Sequence, residues 1–183
     1  MVWSVDNKVV LVTGGAAGVG AGLVRELLAR NAACGTVTST LKALSIMRAD
    51  VEGSGGAVIN VSSSHAFKPS PLSVYNASKA AVLQFTNFLA GNESGMKVRI
   101  ITVCLGPTDT ALLHKRNLNN FAKDAGLTSE PQRVESAVNG IIEVIQRADN
   151  GTTWVISNND MARDITTKVT KSFKLLSEIS EPL

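Results

Sequence analysis

At 183 residues the chain is long enough for one well-buried domain and too short for two ordinary ones. Hydrophobic residues at 44% and charged residues at 18% exclude a disordered chain, and aromatics at 4% leave the core to Val, Ile, Leu and Ala. A formal net charge of +3, spread without a basic run or stripe, argues against a nucleic-acid partner.

Taken in chain order, Lys8 to Thr13 (KVVLVT) is a short β-branched run ended by Gly14-Gly15, and reads as a buried strand. From Gly18 to about Arg30, Leu23, Val24, Leu27 and Leu28 recur at helical spacing. A second helix is expected over Thr36 to Met47, with Leu41, Leu44 and Met47 on one face, broken by Gly53-Ser54-Gly55-Gly56. Ala57 to Val61 (AVINV) reads as the next buried strand and leads into Ser62, Ser63 and Ser64. A helix follows over Val74 to Leu89, a strand over Val98 to Val103, a helix from Val134 to about Arg147, and a strand over Thr152 to Ile156. The tail after Asp160 is weakly amphipathic, and the pattern assigns it no place. Strands alternating with helices predict a parallel sheet covered on both faces.

The two cysteines, Cys34 and Cys104, make no disulfide framework, and with His65 and His114 they form no spaced metal-ligand set. Asp6 and Lys8 interrupt the first apolar stretch, so no leader is read there. No run approaches the ~20 apolar residues of a membrane span. The expectation is a soluble cytoplasmic protein with no metal.

The chemistry centres on Tyr75-Asn76-Ala77-Ser78-Lys79. A tyrosine and a lysine four residues apart share one helix face, and an ammonium near a phenol favours the phenolate. Such a phenol can exchange a proton with an alcohol or carbonyl near neutral pH, with a serine hydroxyl holding the reacting oxygen. The bland alternative is a solvated helix pair. Upstream, Thr13-Gly14-Gly15-Ala16-Ala17-Gly18-Val19-Gly20 joins strand to helix, where glycines let backbone approach a pyrophosphate at a helix N-terminus. Such turns are also common as plain structure.

Together these segments make the chain resemble the short-chain dehydrogenase/reductase family. Thr13-Gly14-xxx-Gly18-x-Gly20 looks like its cofactor loop, Asn60-Val61-Ser62-Ser63 like its serine-bearing strand end, and Tyr75-xxx-Lys79 like its catalytic pair. The run Cys104-Leu105-Gly106-Pro107-Thr108-Asp109-Thr110 looks like the loop that clasps the nicotinamide. Asn150-Gly151-Thr152-Thr153-Trp154 resembles the last strand of the hydroxyprostaglandin dehydrogenase and insect-type alcohol dehydrogenase branch.

The resemblance implies a Rossmann-like doubly wound parallel sheet as one α/β domain over 1–183, with about four strands retained. It implies an NAD-dependent oxidoreductase interconverting a secondary alcohol and a ketone. Tyr75 would be the base, and Lys79 would lower its pKa and hold the nicotinamide ribose. Ser63 would position substrate oxygen by strand register, although the family's usual spacing back from Tyr75 points to Ser62. Gly14, Gly18, Val19 and Gly20 would line the pyrophosphate, with Gly106 and Thr110 at the carboxamide. His65, Phe67 and the loop near Leu112–Asn117 are candidates for the alcohol pocket, and equally ordinary packing. The helices at 36–47 and 74–89 commonly pack between subunits in the family, which implies a homodimer.

The chain departs from the family between Arg30 and Gly35. About two and a half strand–helix units, roughly 70 residues, are missing there. With them go the acidic ligand of the adenosine ribose and the Asn-Asn-Ala-Gly motif; Ala32 stands where an asparagine is expected, and Leu105 where a proline is usual. Two helices joined directly would return the next strand antiparallel to its neighbour. Losing the intervening strand leaves a slot of ~9.6 Å, twice the strand spacing, or forces a new pairing. A non-catalytic truncated isoform, a pseudoenzyme or an incomplete gene model is therefore the alternative to an enzyme, with an interaction module as a third reading.

Overall fold

Ala57 to Ser63 is an unbroken run of buried residues, as a strand covered on both faces requires. In the computed structural model, which describes residues 10–13, 32–68, 73–91, 95–110 and 130–180, this run belongs to strand β2 (Gly56–Ser63). The other strands are β1 (Val10–Thr13), β3 (Val98–Leu105), β4 (Thr153–Ile156) and the two-residue β5 (Arg163–Asp164). The sheet order is β1-β2-β3-β4-β5, parallel throughout β1 to β4, with β5 antiparallel on β4. The expected four parallel strands are there, and the unplaced tail supplies the fifth.

Helix α1 (Ala32–Met47) begins four residues before the expected Thr36 and runs unbroken through the junction at Ala33. Helices α2 (Ser73–Gly91), α3 (Val134–Arg147) and α4 (Thr166–Ser180) follow, and α4 accounts for the rest of the amphipathic tail. None of the described helices is long and apolar enough to cross a membrane.

The difficulty posed by the missing segment is resolved by a new pairing. Val10 to Thr13 pair in parallel with Ala57 to Asn60, closing the slot completely. The expectation of an antiparallel β2 is thereby corrected, and the direction of α1 gives the reason. Its C-terminal end lies beside the strand starts: Gly55 N–H donates to the Met47 carbonyl (2.8 Å), Ala49 N–H to Met96 (2.9 Å) and Gly56 N–H to Lys97 (3.1 Å). The helix therefore descends against the strands, and β2 can rise again alongside β1. Gly55 makes this turn possible, with φ +77° and a position where a Cβ would lie 2.5 Å from the Lys97 carbonyl.

Alternation along β2 and β3 divides the core between the two faces. Ile59, Ile101 and Val103 pack with Val144, Ile145, Trp154 and Ile156 on the α3 side. Val58 and Ile100 pack with Ala43, Leu44 and Ala90 on the side of α1 and α2, and Cys104 with Leu83 and Val169 brings α4 onto that face. Each fully buried isoleucine contributes about 1.5–3 kcal/mol.

One polar chain crosses the second face. Thr40 on α1 donates to Asn60 Oδ1 (2.9 Å), and Asn60 Nδ2 donates to Thr86 on α2 (3.0 Å), all three residues being buried. It fixes both helices against β2 at the point where β1 ends. Replacing Asn60 by Ala strands the Thr40 hydroxyl, while Thr86 keeps its bond to the Val82 carbonyl (2.8 Å), and is expected to cost about 1–3 kcal/mol of stability in chemical denaturation.

Candidate active site

The C-terminal edge of the sheet gathers the chemistry. β2 ends at Ser63 opposite Leu105, and β1 ends at Thr13 opposite Asn60, so the chain enters its glycine run from this same edge. Gly14, Gly18, Val19 and Gly20 themselves lie outside the described residues, as does the loop at 112–117. Tyr75 occupies the first turn of α2 and Lys79 the next, both half-buried.

The two candidate serines have different partners. Ser62 Oγ donates to the Lys79 carbonyl (2.7 Å) and ties α2 to β2. Ser63 Oγ is hydrogen-bonded with the Tyr75 hydroxyl and accepts from His65 N–H (3.2 Å). Its remaining contacts, with the Leu105 carbonyl at 3.3 Å and His65 Nδ1 at 3.5 Å, are long for a hydroxyl, whose usual distance is ~2.7–2.8 Å. Ser63 is thus the serine brought to Tyr75, its hydroxyl donating to the phenol oxygen, and the His65 ring stands edge-on to the Tyr75 ring at 6.1 Å. Phe67 is exposed.

Lys79 does not sit at the phenol oxygen. Its Nζ donates to the Val61 carbonyl (3.1 Å) and lies 5.9 Å from the Tyr75 ring centroid. Burial accordingly pushes the Tyr75 phenol above its usual range, and the Ser63 hydrogen bond only partly opposes this. The expectation of a phenol acidified by its lysine is corrected for the chain alone: desolvation outweighs the Ser63 hydrogen bond, and the phenol stays above its usual range. Burial also pulls the Lys79 ammonium below its usual range, with the Cys104 thiol opposing. That thiol lies on the buried side of the site and is pushed up to about 12 by burial, against the Ser62 hydrogen bond and the Lys79 charge.

The loop after β3 is held by a residue that the sequence reading missed. Gly106 N–H donates to the Ile156 carbonyl (2.8 Å), and the Gly106 carbonyl accepts from Thr108 Oγ1 (3.0 Å). Gln132, fully buried, donates through Nε2 to that same Thr108 oxygen (3.0 Å) and to the Ile156 carbonyl (3.1 Å). Its main chain closes the bracket, receiving Asp109 N–H and donating to the Pro107 carbonyl, both at 2.8 Å. A carbonyl accepts only, so the Ile156 contact fixes which amide atom is nitrogen. A lone glutamine before a helix carries no motif, and only this loop contact reveals it. Thr110 ends the described part of the loop, half-buried. A separate groove of about 260 Å³ between α2 and α4, lined by Gln84, Asn87, Phe88 and Phe173, holds none of these groups.

The family described as short chain dehydrogenase matches residues 33–120. An alcohol dehydrogenase-related 31 kDa protein of Drosophila ambigua is 33% identical over 132 residues, covering 66% of this chain and 46% of that protein. Alcohol dehydrogenase 1 of Ceratitis capitata is 29% identical over 142 residues, 70% of this chain and 54% of that protein. Over residues 33–120 the chain matches the short-chain dehydrogenase/reductase family. It spans about half the length of the curated relatives it matches. The fold agrees. A 3-ketoacyl-(acyl-carrier-protein) reductase of Brucella melitensis, solved with NADH, superposes with a TM-score of 0.58 at 18% identity, over 81% of this chain and 65% of that one. A second short-chain dehydrogenase/reductase family structure gives 0.58 at 24% identity, over 80% and 64%.

Tyr75 is the chain's one tyrosine, so tyrosinate absorbance reports it alone. Its midpoint in the folded chain is expected above the free value of ~10, and higher still in Ser63→Ala, where the opposing hydrogen bond is gone. A phenol raised in this way stabilises the fold below its unfolded value, and that stability is lost as pH rises through the folded one. A Cβ on Gly106 would lie 2.6 Å from Ser157 Cβ. Gly106→Ala is therefore expected to cost about 1–3 kcal/mol, and Ser157→Gly, which removes the opposing atom, to restore part of it in the double variant.

Proposed function

We propose that the chain is an NAD-dependent oxidoreductase interconverting a secondary alcohol and a ketone. The observation that supports this best is the convergence of Ser63, Tyr75 and Lys79 with Gly106 at one sheet edge. The donor set also suits the nicotinamide end of such a cofactor. An ammonium has three protons, and among the described residues that of Lys79 finds one acceptor, the Val61 carbonyl. A half-buried cation so placed fits ribose hydroxyls, which offer acceptors without adding charge.

When bound, a nicotinamide would supply the hydride acceptor that alcohol oxidation requires. The chain's own groups handle the rest. Ser63 donates a hydrogen bond to the substrate oxygen, and Tyr75, once ionised to the phenolate, takes the hydroxyl proton as hydride leaves the carbon. A ribose hydroxyl between Lys79 and Tyr75 would bring the ammonium's influence to the phenol, lowering a pKa that burial alone raises.

The half-length match favours a second reading, a non-catalytic product of a shortened gene. The two separate in one assay. The folded chain with NAD and a panel of secondary alcohols is expected to generate NADH absorbance, and Tyr75→Phe to lose roughly 10²–10⁴-fold in rate without loss of fold. A folded chain that binds NADH but turns over no alcohol supports the second reading.

A further inference from the structure

We infer, independently of the proposed function, that helix α4 docks this chain on an anionic lipid surface. Val169 and Phe173 seat α4 against Leu83, and Leu176 continues their line along the helix. Leu176 is nevertheless 61% exposed, so the helix overhangs the body beyond Phe173. Leu175, 63% exposed, and Ile179, 80% exposed, complete an aliphatic cluster on the overhang. Lys168, Lys171, Leu175 and Ile179 follow one another at intervals of three and four residues and share the outward face, with Lys174 flanking them. Among the described residues none of the three ammonium groups is ion-paired, and Glu178, the one acidic residue of the helix, meets none of them.

Charge decides what covers this face. Helix α3 also exposes an apolar stripe, Val134, Val138 and Ile142, but Glu135 and Glu143 stand beside it. Among the described helices α4 alone joins exposed aliphatics to three lysines. That combination fits a surface that is negative at its headgroups and apolar just beneath them. Shape points the same way. Leu175 and Leu176 project about 100° apart around a convex overhang, which a fluid surface can surround and a single flat protein face cannot. With α4 lying along the membrane, the aliphatic side chains reach the acyl boundary while the lysine stems carry their ammonium groups to the phosphates.

The test is co-sedimentation of the wild-type chain with vesicles of phosphatidylcholine, alone or mixed with phosphatidylserine. Binding is expected to the mixed vesicles only, and to weaken as salt is raised. Lys168→Gln with Lys171→Gln is expected to weaken it about 25-fold, at about fivefold per charge. Lys42→Gln with Lys68→Gln, an equal loss of charge at exposed positions elsewhere, is expected to change it less than about twofold. Leu175→Gln with Ile179→Gln is expected to weaken it about tenfold or more. All six positions are exposed, so the variants keep the fold, which circular dichroism checks. Equal binding to neutral vesicles, equal losses in the two lysine pairs, or an unaffected Leu175 and Ile179 variant overturns the inference. So does a folded chain that ignores both kinds of vesicle, including one that binds an acidic amphipathic peptide instead.

Discussion

The direct parallel ladder between β1 and β2 is the constraint on which the rest of the molecule depends. A parallel pair needs a return element between its strands, and α1 serves, descending so that β2 can rise. The ladder sets the C-terminal edge at which the glycine run begins and the serine run ends. Without it β1 would have no place in the sheet. The Thr40–Asn60–Thr86 chain reinforces it by fixing α1 and α2 where a misplaced helix would leave buried polar groups of Asn60 unpaired.

In the proposed function Tyr75 and Lys79 form the acid–base pair of this edge. Burial disfavours charge on both Tyr75 and Lys79, and the ammonium is turned to a main-chain carbonyl rather than to the phenol. Two side chains that could stabilise each other as phenolate and ammonium are thus kept apart by 5.9 Å between nitrogen and ring centre. Under the proposed function a ligand hydroxyl between them would supply what each lacks, an acceptor for one and a donor for the other. Ser63 fits the same pattern, since its other contacts, to Leu105 and His65, are long and leave its hydroxyl directed at Tyr75. The braced loop at Gly106 is the opposite case, rigid before any ligand arrives.

Much of this was legible in the sequence because burial and periodicity are local. The strands at Ala57 and Val98 and the helix at Val134 stand where their apolar patterns put them, since a strand covered on both faces cannot tolerate a break. The tail after Asp160 was not legible. A two-residue strand has no period, and α4 shows its purpose only when Val169 and Phe173 meet Leu83 across the fold. The direction of β2 was misjudged from counting helices, because the ladder is a long-range choice that the local pattern does not encode. Spacing left Ser62 and Ser63 open, and a single hydrogen bond to the Lys79 carbonyl separates them. The raised phenol was not legible for a physical reason: sequence gives the lysine's spacing but not the burial that pushes Tyr75 up.

The central claim is that β1 pairs with β2, in parallel and in the register Val12 opposite Ile59. Nuclear Overhauser contacts between the backbone protons of Val10–Thr13 and those of Ala57–Asn60 test it most directly. The account predicts the evenly spaced inter-strand contacts of a parallel ladder in that register. An antiparallel pattern, or a β1 whose amide protons show no contact with β2, would contradict it and leave the glycine run with no reason to begin beside Ser63.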